Sequence, residues 1–410
     1  SVSGTKAAMR YECKAKSGLG ISGVSTGDTL IINKEQGGSG NGVKQVNNST
    51  TVTVSNTTCT TSTVDGTYAN RTHWTGCGYT TAVPTAGMSD VEPKLLYPSA
   101  ADNGNLKNDG IVAQVFGMAV SDNVYQKLQA LQGKIVGDYS EAQAPSLPAS
   151  FVRGTFSGVA NDWTAVDPSI TEAAHNTDVH PNQPGFVDAN ANTTAVKICR
   201  RASGSGTLAT FEATVMLNPC STSALYGGNT VLSNYLGDDT GANDTNQGYL
   251  GETDVYTVVQ SSSTEDVDTC LTRAYYQGEM AIGIMGTERQ PGDTGSKTAG
   301  SDDNDGPTDK WHFVKIGQVY PSVANFVAGD YDFYWAEASF NRRKTGYSAL
   351  ETNMMNYFLK NMGDPAKIVS IPLPGLAALT TSGYSFDYGV SPVARASRGG
   401  NTCRMGTQVY

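Results

Sequence analysis

Residues 195–217 join two kinds of apolar pattern through one short polar turn. Ala195-Val196-Lys197-Ile198-Cys199 is a strand-like run, and Leu208 to Leu217 carries apolar residues at helical spacing. Between them lies Arg201-Ala202-Ser203-Gly204-Ser205-Gly206-Thr207. A strand that turns directly into a helix is a step of α/β architecture. It also has a chemical consequence. The first N–H groups of a helix have no partner within the helix, and the macrodipole adds partial positive charge at that end. With a guanidinium beside them, they form a seat for a tetrahedral oxyanion. The plainer alternative is an ordinary turn in which Thr207 caps the helix.

A second stretch repeats the step. Leu30-Ile31-Ile32 leads into Gly37-Gly38-Ser39-Gly40-Asn41, and a short helix is expected from Gly42. Ser39 would offer a hydroxyl, and the N–H groups of Gly40 and Asn41 would face the same way. Two such turns suggest two walls of one anion site; a flexible glycine loop is the alternative. A third stretch, Gly87-Met88-Ser89-Asp90-Val91, places an acid in a turn before Glu92-Pro93. An ionised Asp only accepts hydrogen bonds, so it would pair with a P–OH and repel a fully ionised sulfate. Taken alone, Asp90 reads equally as a solvated turn residue or a helix cap.

In this order, the Gly-Gly-Ser-Gly turn, the Ser-Asp turn and the Arg-Ala-x-Gly-Ser-Gly-Thr heptad resemble the phosphate-binding subunits of ABC importers and their secreted relatives. Gly278 to Ile284 resembles the family's returning strand. Val314 to Ser322 with Ala328-Gly329-Asp330-Tyr331 resembles its Val-x-Ile-x-Gly-Val-x-Pro-Ser and Gly-x-Tyr segments, and Met354 to Met362 its closing helix. The likeness spans about residues 20–370. It implies an α/β, two-lobed periplasmic-binding-protein-like (type II) fold with discontinuous lobes, two crossing segments and loop or hairpin insertions. It also implies extracytoplasmic binding of inorganic phosphate between the lobes, with ABC importer membrane subunits as partners.

By this resemblance, Arg201 is the phosphate cation. Ser205, Gly206 and Thr207 donate from the second lobe, Ser39 and Gly40 from the first, and Asp90 reads the phosphate proton. Two positions depart from the pattern. Ser203 stands where the family has an Asp that orients the arginine. The family's opening Gly/Ser/Thr loop has only Val2-Ser3-Gly4-Thr5 as a counterpart, with Ser3 and Thr5 as its donors, ahead of a helix-like run from Lys6 to Lys16.

Composition narrows the class. A chain of 410 residues can hold two domains. Charged residues make up 16 %, below the usual quarter or so, and Gly, Tyr, Thr, Ser and Asn are abundant, as on extracellular surfaces. The net charge of −10 argues against nucleic acid and anionic membranes. Local dipoles and one arginine can still hold an anion, because distant charges are screened over ~8–10 Å. No apolar run reaches the ~18 residues of a membrane span.

Seven cysteines without a Cys-x-x-Cys pair favour disulfides in an oxidising compartment over zinc. Sequence leaves the pairing open. The expected arrangement is Cys59–Cys77 within an insertion, Cys220–Cys270, and Cys13–Cys403 between the termini, with Cys199 left over near the site.

The expected lobes are 1–105 with 280–410, carrying a Thr/Asn-rich insertion at 47–86, and 106–279. Thr51 to Val54 suggests a hairpin. Asn47 to Asn56 reads as a polar strand with edges open to a neighbouring copy. Ile111 to Val120 is a buried-strand pattern. Asn123 to Gln132 is an amphipathic helix with Val124, Leu128 and Leu131 on one face. Val255 to Gln260 reads as a strand and 264–277 as a helix. Tyr331, Phe333, Tyr334 and Trp335 read as a strand with one buried face.

Other constellations are weaker. Asp302 to Gly306 lacks the end ligands of a calcium loop, and Asp238-Asp239 is weaker still. His175 and His180, five apart, read as surface residues. No nucleophile elbow or Ser/His/Asp set is visible, so neither an enzyme nor a cofactor is expected. The competing class is a secreted structural or filament-forming subunit on the same fold, self-assembling by strand exchange.

Overall fold

One strand of sixteen residues, β8 (Leu106–Ser121), organises the protein. From Ile111 to Ser121 every residue except Gln114 is buried, so the apolar run is covered on both faces. The computed structural model describes residues 9–34, 38–55, 61–64, 72–75, 78–171, 194–218, 220, 237–238, 257–291, 310–370, 375–379 and 396–408. Among these, β8 is shared by both wings of a ten-stranded mixed sheet. Its C-terminal half lies between β13 (Met280–Gly286) and β14 (Trp311–Ile316), both antiparallel to it. Its N-terminal half pairs with β15 (Trp335–Arg343) and β16 (Leu376–Ala378).

The wing beyond β13 is parallel. It runs through β10 (Val196–Arg201), β12 (Thr257–Ser261) and the short β11 (Gly237–Asp238). β9 (Ser146–Leu147) extends β14 in parallel, and β7 (Ala86–Ser89) lies antiparallel to β15. The chain is therefore a mixed α/β protein with one large mixed sheet.

Helices cover this sheet. α7 (Thr264–Gln277) starts with a Ser263–Asp266 capping box, ends at Gly278 in the left-handed region (φ 73°) and buries Val267, Cys270, Leu271 and Ala274. That spacing is one helical face. α4 (Asp122–Leu131) buries Val124, Tyr125 and Leu128, while Leu131, expected on the same face, is 39 % exposed at the helix end. α5 (Ala149–Phe156) buries Phe151, Val152 and Phe156, and α6 (Gly206–Thr214) is buried on nearly every side. α8 (Val323–Ala328), α9 (Ala349–Met362) and α10 (Pro365–Ser370) complete the later part of the chain. α1 (Asn41–Asn48), α2 (Pro93–Leu96) and α3 (Ala100–Asn103) flank β7 in sequence. Among the described residues no helix is long and apolar enough to cross a membrane.

Several elements differ from the sequence expectations. Lys6 to Lys16 was expected to be helical, but β1 (Met9–Lys14) is a strand paired antiparallel with β2 (Thr29–Lys34). Met9, Tyr11 and Cys13 alternate with Arg10, Glu12 and Lys14, which is a period of two. β1 also pairs with β5 (Thr72–Thr75), which pairs with β4 (Thr61–Val64). β3 (Val52–Ser55) pairs with β6 (Tyr79–Ala82) across the insertion.

Asn47 and Asn48 belong to α1 and not to a polar strand. Asn47 is buried; its amide donates to Ala101 O (2.7 Å) and accepts from Asn105 N (2.9 Å), which ties α1 to α3. Tyr331, Tyr334 and Trp335 are all buried, because the sheet they enter is covered on both sides, and β15 starts only at Trp335.

The cysteine pairing is also corrected. Cys199 is not left over: it is bonded to Cys270, 71 residues away, because α7 packs over β10 and brings the two Cα atoms to 6.0 Å. Cys403 pairs with Cys220 and not with Cys13. Cys13 is half-buried in β1 and has no disulfide partner among the described residues. Cys59 and Cys77 lie outside the described residues. β17 (Ala396–Ser397) and β18 (Thr407–Gln408) form a small antiparallel clasp that carries Cys403.

Candidate oxyanion site

β10 delivers Arg201 to its C-terminal end, and the chain turns at Gly204 (φ 84°), a conformation that suits glycine. Ser205 is the N-cap of α6: it is extended and its hydroxyl accepts from Leu208 N. Thr207, the alternative cap in the sequence, sits inside the first turn. Its Oγ1 accepts from Arg201 Nη1 at 3.2 Å.

The first glycine turn meets the second directly. Gly40 N–H donates to Gly204 O at 3.1 Å. α1 then leans on β7 through two glycines, Gly42 and Gly87, whose backbones are in contact; a β-carbon on Gly42 would strike Met88 O. This close approach sets Asp90, just past β7, beside Ser39, and Asp90 N–H donates to Ser39 Oγ at 3.1 Å. A β-carbon on Gly206 would lie 2.5 Å from Ser39 Oγ and 2.5 Å from Asp90 Oδ2. Ser39, Gly40, Asp90, Gly204, Gly206 and Thr207 thus meet at the N-terminus of α6.

Arg201 completes the cluster at 8 % exposure. Its Nη1 also donates to Thr264 Oγ1 (3.1 Å) and its Nη2 to Ser262 O (3.1 Å). Ser203 is exposed, and Thr207, Thr264 and Ser262 accept from the guanidinium and orient it. Arg201 Nε is buried and has no hydrogen-bond partner among the described residues. Such an unpaired charged donor is costly unless something accepts from it.

The charges are coupled. Desolvation raises the Asp90 pKa above the ordinary carboxylate value, while the Arg201 charge, the Ser39 hydroxyl and the Thr207 N–H each favour the ionised form. Burial lowers the Arg201 pKa; the charge of Asp90, then Tyr334, Asp266 and Glu288, act against that. The Asp90 carboxylate therefore lies where a helix N-terminus and a guanidinium both favour negative charge.

Several participants were not found from sequence. Thr264 and Ser262 arrive with the start of α7, and Tyr334 with β15. Tyr334 is fully buried and its hydroxyl donates to Thr207 O at 2.9 Å. Tyr97 Oη faces Gly40, where a β-carbon would sit 2.7 Å away. None of these has a local motif; strand pairing brings them in. Ser3 and Thr5 lie outside the described residues, as do His175, His180 and Asp302 to Gly306. Among the described residues no group of three or more His, Cys, Asp or Glu could hold a metal ion.

No protein-family model matches this sequence, and no curated protein matches it. Solved structures similar to this fold include an ABC-type phosphate transport receptor from Vibrio cholerae, at 13% identity, over 71% of this chain and 80% of that one, with a TM-score of 0.36. A phosphate-binding protein from Stenotrophomonas maltophilia is similar at 15% identity, over 69% of this chain and 70% of that one, with a TM-score of 0.35.

Proposed function

We propose that this protein captures a tetrahedral oxyanion, inorganic phosphate, outside the cytoplasm, and that it binds rather than catalyses. The observation that carries this reading is the meeting of Ser39, Asp90, Arg201 and the first turn of α6 at one place. In this reading 1–105 with 280–410 and 106–279 act as two lobes, each supplying one wall. Ser39 and Gly40 come from the first, and Arg201, Ser205, Gly206 and Thr207 from the second. Disulfides such as Cys199–Cys270 and Cys220–Cys403 suit an oxidising compartment. Delivery of the loaded protein to an ABC importer would follow from lobe closure.

The chemistry is competitive. The Thr207 N–H now bonds the Asp90 carboxylate, so an incoming oxyanion must take that donor from Asp90. An oxyanion that brings a proton compensates, because its P–OH can donate to the released carboxylate. Sulfate at neutral pH has no proton to offer and meets repulsion. Arg201 supplies the countercharge.

Titration calorimetry with inorganic phosphate on wild type and Arg201→Ala tests this reading. A saturable heat in wild type that the substitution removes supports it. Equal and negligible heats in both reject it.

A further inference from the structure

The strand beside β10 brings its own turn to Arg201. β10 and β12 are parallel and end together, with Arg201 opposite Ser261, and Ala202 N–H donates to Ser261 O at 2.8 Å. The residues that follow β12, Ser262 to Thr264, therefore pass beside the guanidinium. Ser262 O accepts from Arg201 Nη2 and Thr264 Oγ1 from Nη1, each at 3.1 Å. This turn is held in turn by Asp266, whose Oδ2 accepts from Ser262 N (3.0 Å), Ser262 Oγ (2.6 Å) and Ser263 N (2.8 Å).

The peptide group between Ser262 and Ser263 is thus gripped on both sides. Its C=O accepts from Arg201 and its N–H donates to Asp266. A trans peptide is planar, with C=O and N–H pointing opposite ways. A carboxylate that fixes the N–H therefore fixes where the C=O points. Part of this arrangement is helix capping. Ser263 is the N-cap of α7 and Asp266 its third residue, and the Ser263 N–H bond with the return bond from Asp266 N to Ser263 Oγ (3.0 Å) forms the capping box. The two bonds from Ser262 lie outside that box. They hold the residue whose carbonyl meets Arg201.

We propose that Asp266 is a positioning residue for Arg201: by fixing the Ser262–Ser263 peptide it aims the guanidinium into the cluster of Asp90, Ser39 and the α6 N-terminus. For its ligand this rests on the phosphate reading above. Asp266 acts through Ser262, along a chain of hydrogen bonds in which each bond polarises the next. Its charge also favours the charged form of Arg201.

Phosphate titration calorimetry, urea unfolding and arginine side-chain NMR on the full chain test this, with wild type, Asp266→Ala, Asp266→Asn and Ser263→Ala. Ser263→Ala removes the capping hydroxyl and leaves the bonds that Asp266 accepts, so it reports the loss of the cap alone. Ser263→Ala and Asp266→Ala are both expected to lower the urea midpoint. Only the Asp266 variants are expected to weaken phosphate, about tenfold for Asp266→Ala and about threefold for Asp266→Asn, which keeps an acceptor without the charge. In the ligand-free protein the Arg201 Nη1 and Nη2 signals should be separate in wild type and in Ser263→Ala. They should broaden in Asp266→Asn and merge in Asp266→Ala, as the guanidinium is freed to rotate. Where Asp266→Ala does not fold, Asp266→Asn carries the same comparison. Asp266 variants that match Ser263→Ala in affinity and in these signals overturn the proposal and leave the phosphate reading standing. Wild type silent toward phosphate overturns the phosphate reading, and the Arg201 signals, which need no ligand, then decide the proposal.

Discussion

Gly206 and Asp90 are in direct contact across the two glycine turns: a β-carbon at residue 206 would lie 2.5 Å from Asp90 Oδ2. The smallest residue at the head of α6 is therefore what lets a carboxylate from beyond β7 reach the helix N-terminus.

Gly206→Ala forces Asp90 and Ser39 apart. Overpacking of this kind costs about 1–3 kcal/mol. Urea unfolding should show a lower midpoint with unchanged slope, and phosphate affinity should fall with it. An unchanged midpoint would show that Asp90 moves aside freely.

Asp90 makes stability depend on pH. Its folded pKa is raised above the ordinary 3.8, so between these two values the folded state holds more protons than the unfolded one. Stability then falls as pH rises through that window. Asp90→Asn removes this contribution, so it should gain on wild type as pH rises from about 4 to about 7. Denaturant midpoints at both pH values measure it; a difference between the two proteins that does not change with pH counts against a raised Asp90.

His312 works in the opposite direction. Its ring stacks on Tyr139 at 3.8 Å, and burial, then the Lys310 charge, lowers its pKa to about 4. Between about 4 and the ordinary 6.5 the unfolded chain holds more protons, so stability is lost as pH falls through that range. The nearby Asp122 carboxylate, 3.6 Å from His312 Nε2, is itself shifted upward by desolvation. An imidazole NMR titration should give a midpoint near 4, and His312→Phe should flatten the acid limb of the stability curve. A midpoint near 6.5 would contradict it.

The Cys199–Cys270 bond closes a 71-residue separation and lies two residues before Arg201. Its removal in the Cys199→Ser, Cys270→Ser double variant should cost about 2–4 kcal/mol. Thermal melts of the variant and wild type measure the loss. Phosphate affinity should drop more in this variant than in a surface control, because β10 and α7 both hold Arg201.

Local pattern located the elements that build the site. The 264–277 helix, the 195–199 strand and the helix after Gly42 were legible because apolar period and cap residues report one face of one element. The helical expectation for β1 follows intrinsic propensity, since Lys, Ala, Met, Arg and Glu are strong helix formers, while the alternation of Met9, Tyr11 and Cys13 with charged residues is the strand period that the structure adopts. Cysteine pairing was out of reach, since any two sulfurs far apart in sequence look equivalent until strand order is known. Thr264 and Tyr334 escape local reading for the same reason: each is ordinary in its own segment, and only the packing of the sheet brings Thr264 to Arg201 and Tyr334 to Thr207.

By itself the amino-acid sequence marked the candidate residues: an arginine and a Gly/Ser turn at a helix start, a second glycine turn and an acid after Met88-Ser89. The tertiary structure alone decided that these meet, that Asp90 rests on the α6 N-terminus, and that Thr264 and Ser262 orient Arg201 while Ser203 points to solvent. Periodicity and capping act over a few residues along the chain. The meeting of residues 39, 90, 201 and 207 depends on the pairing order of strands and the packing of α1 and α6, which no local signal encodes.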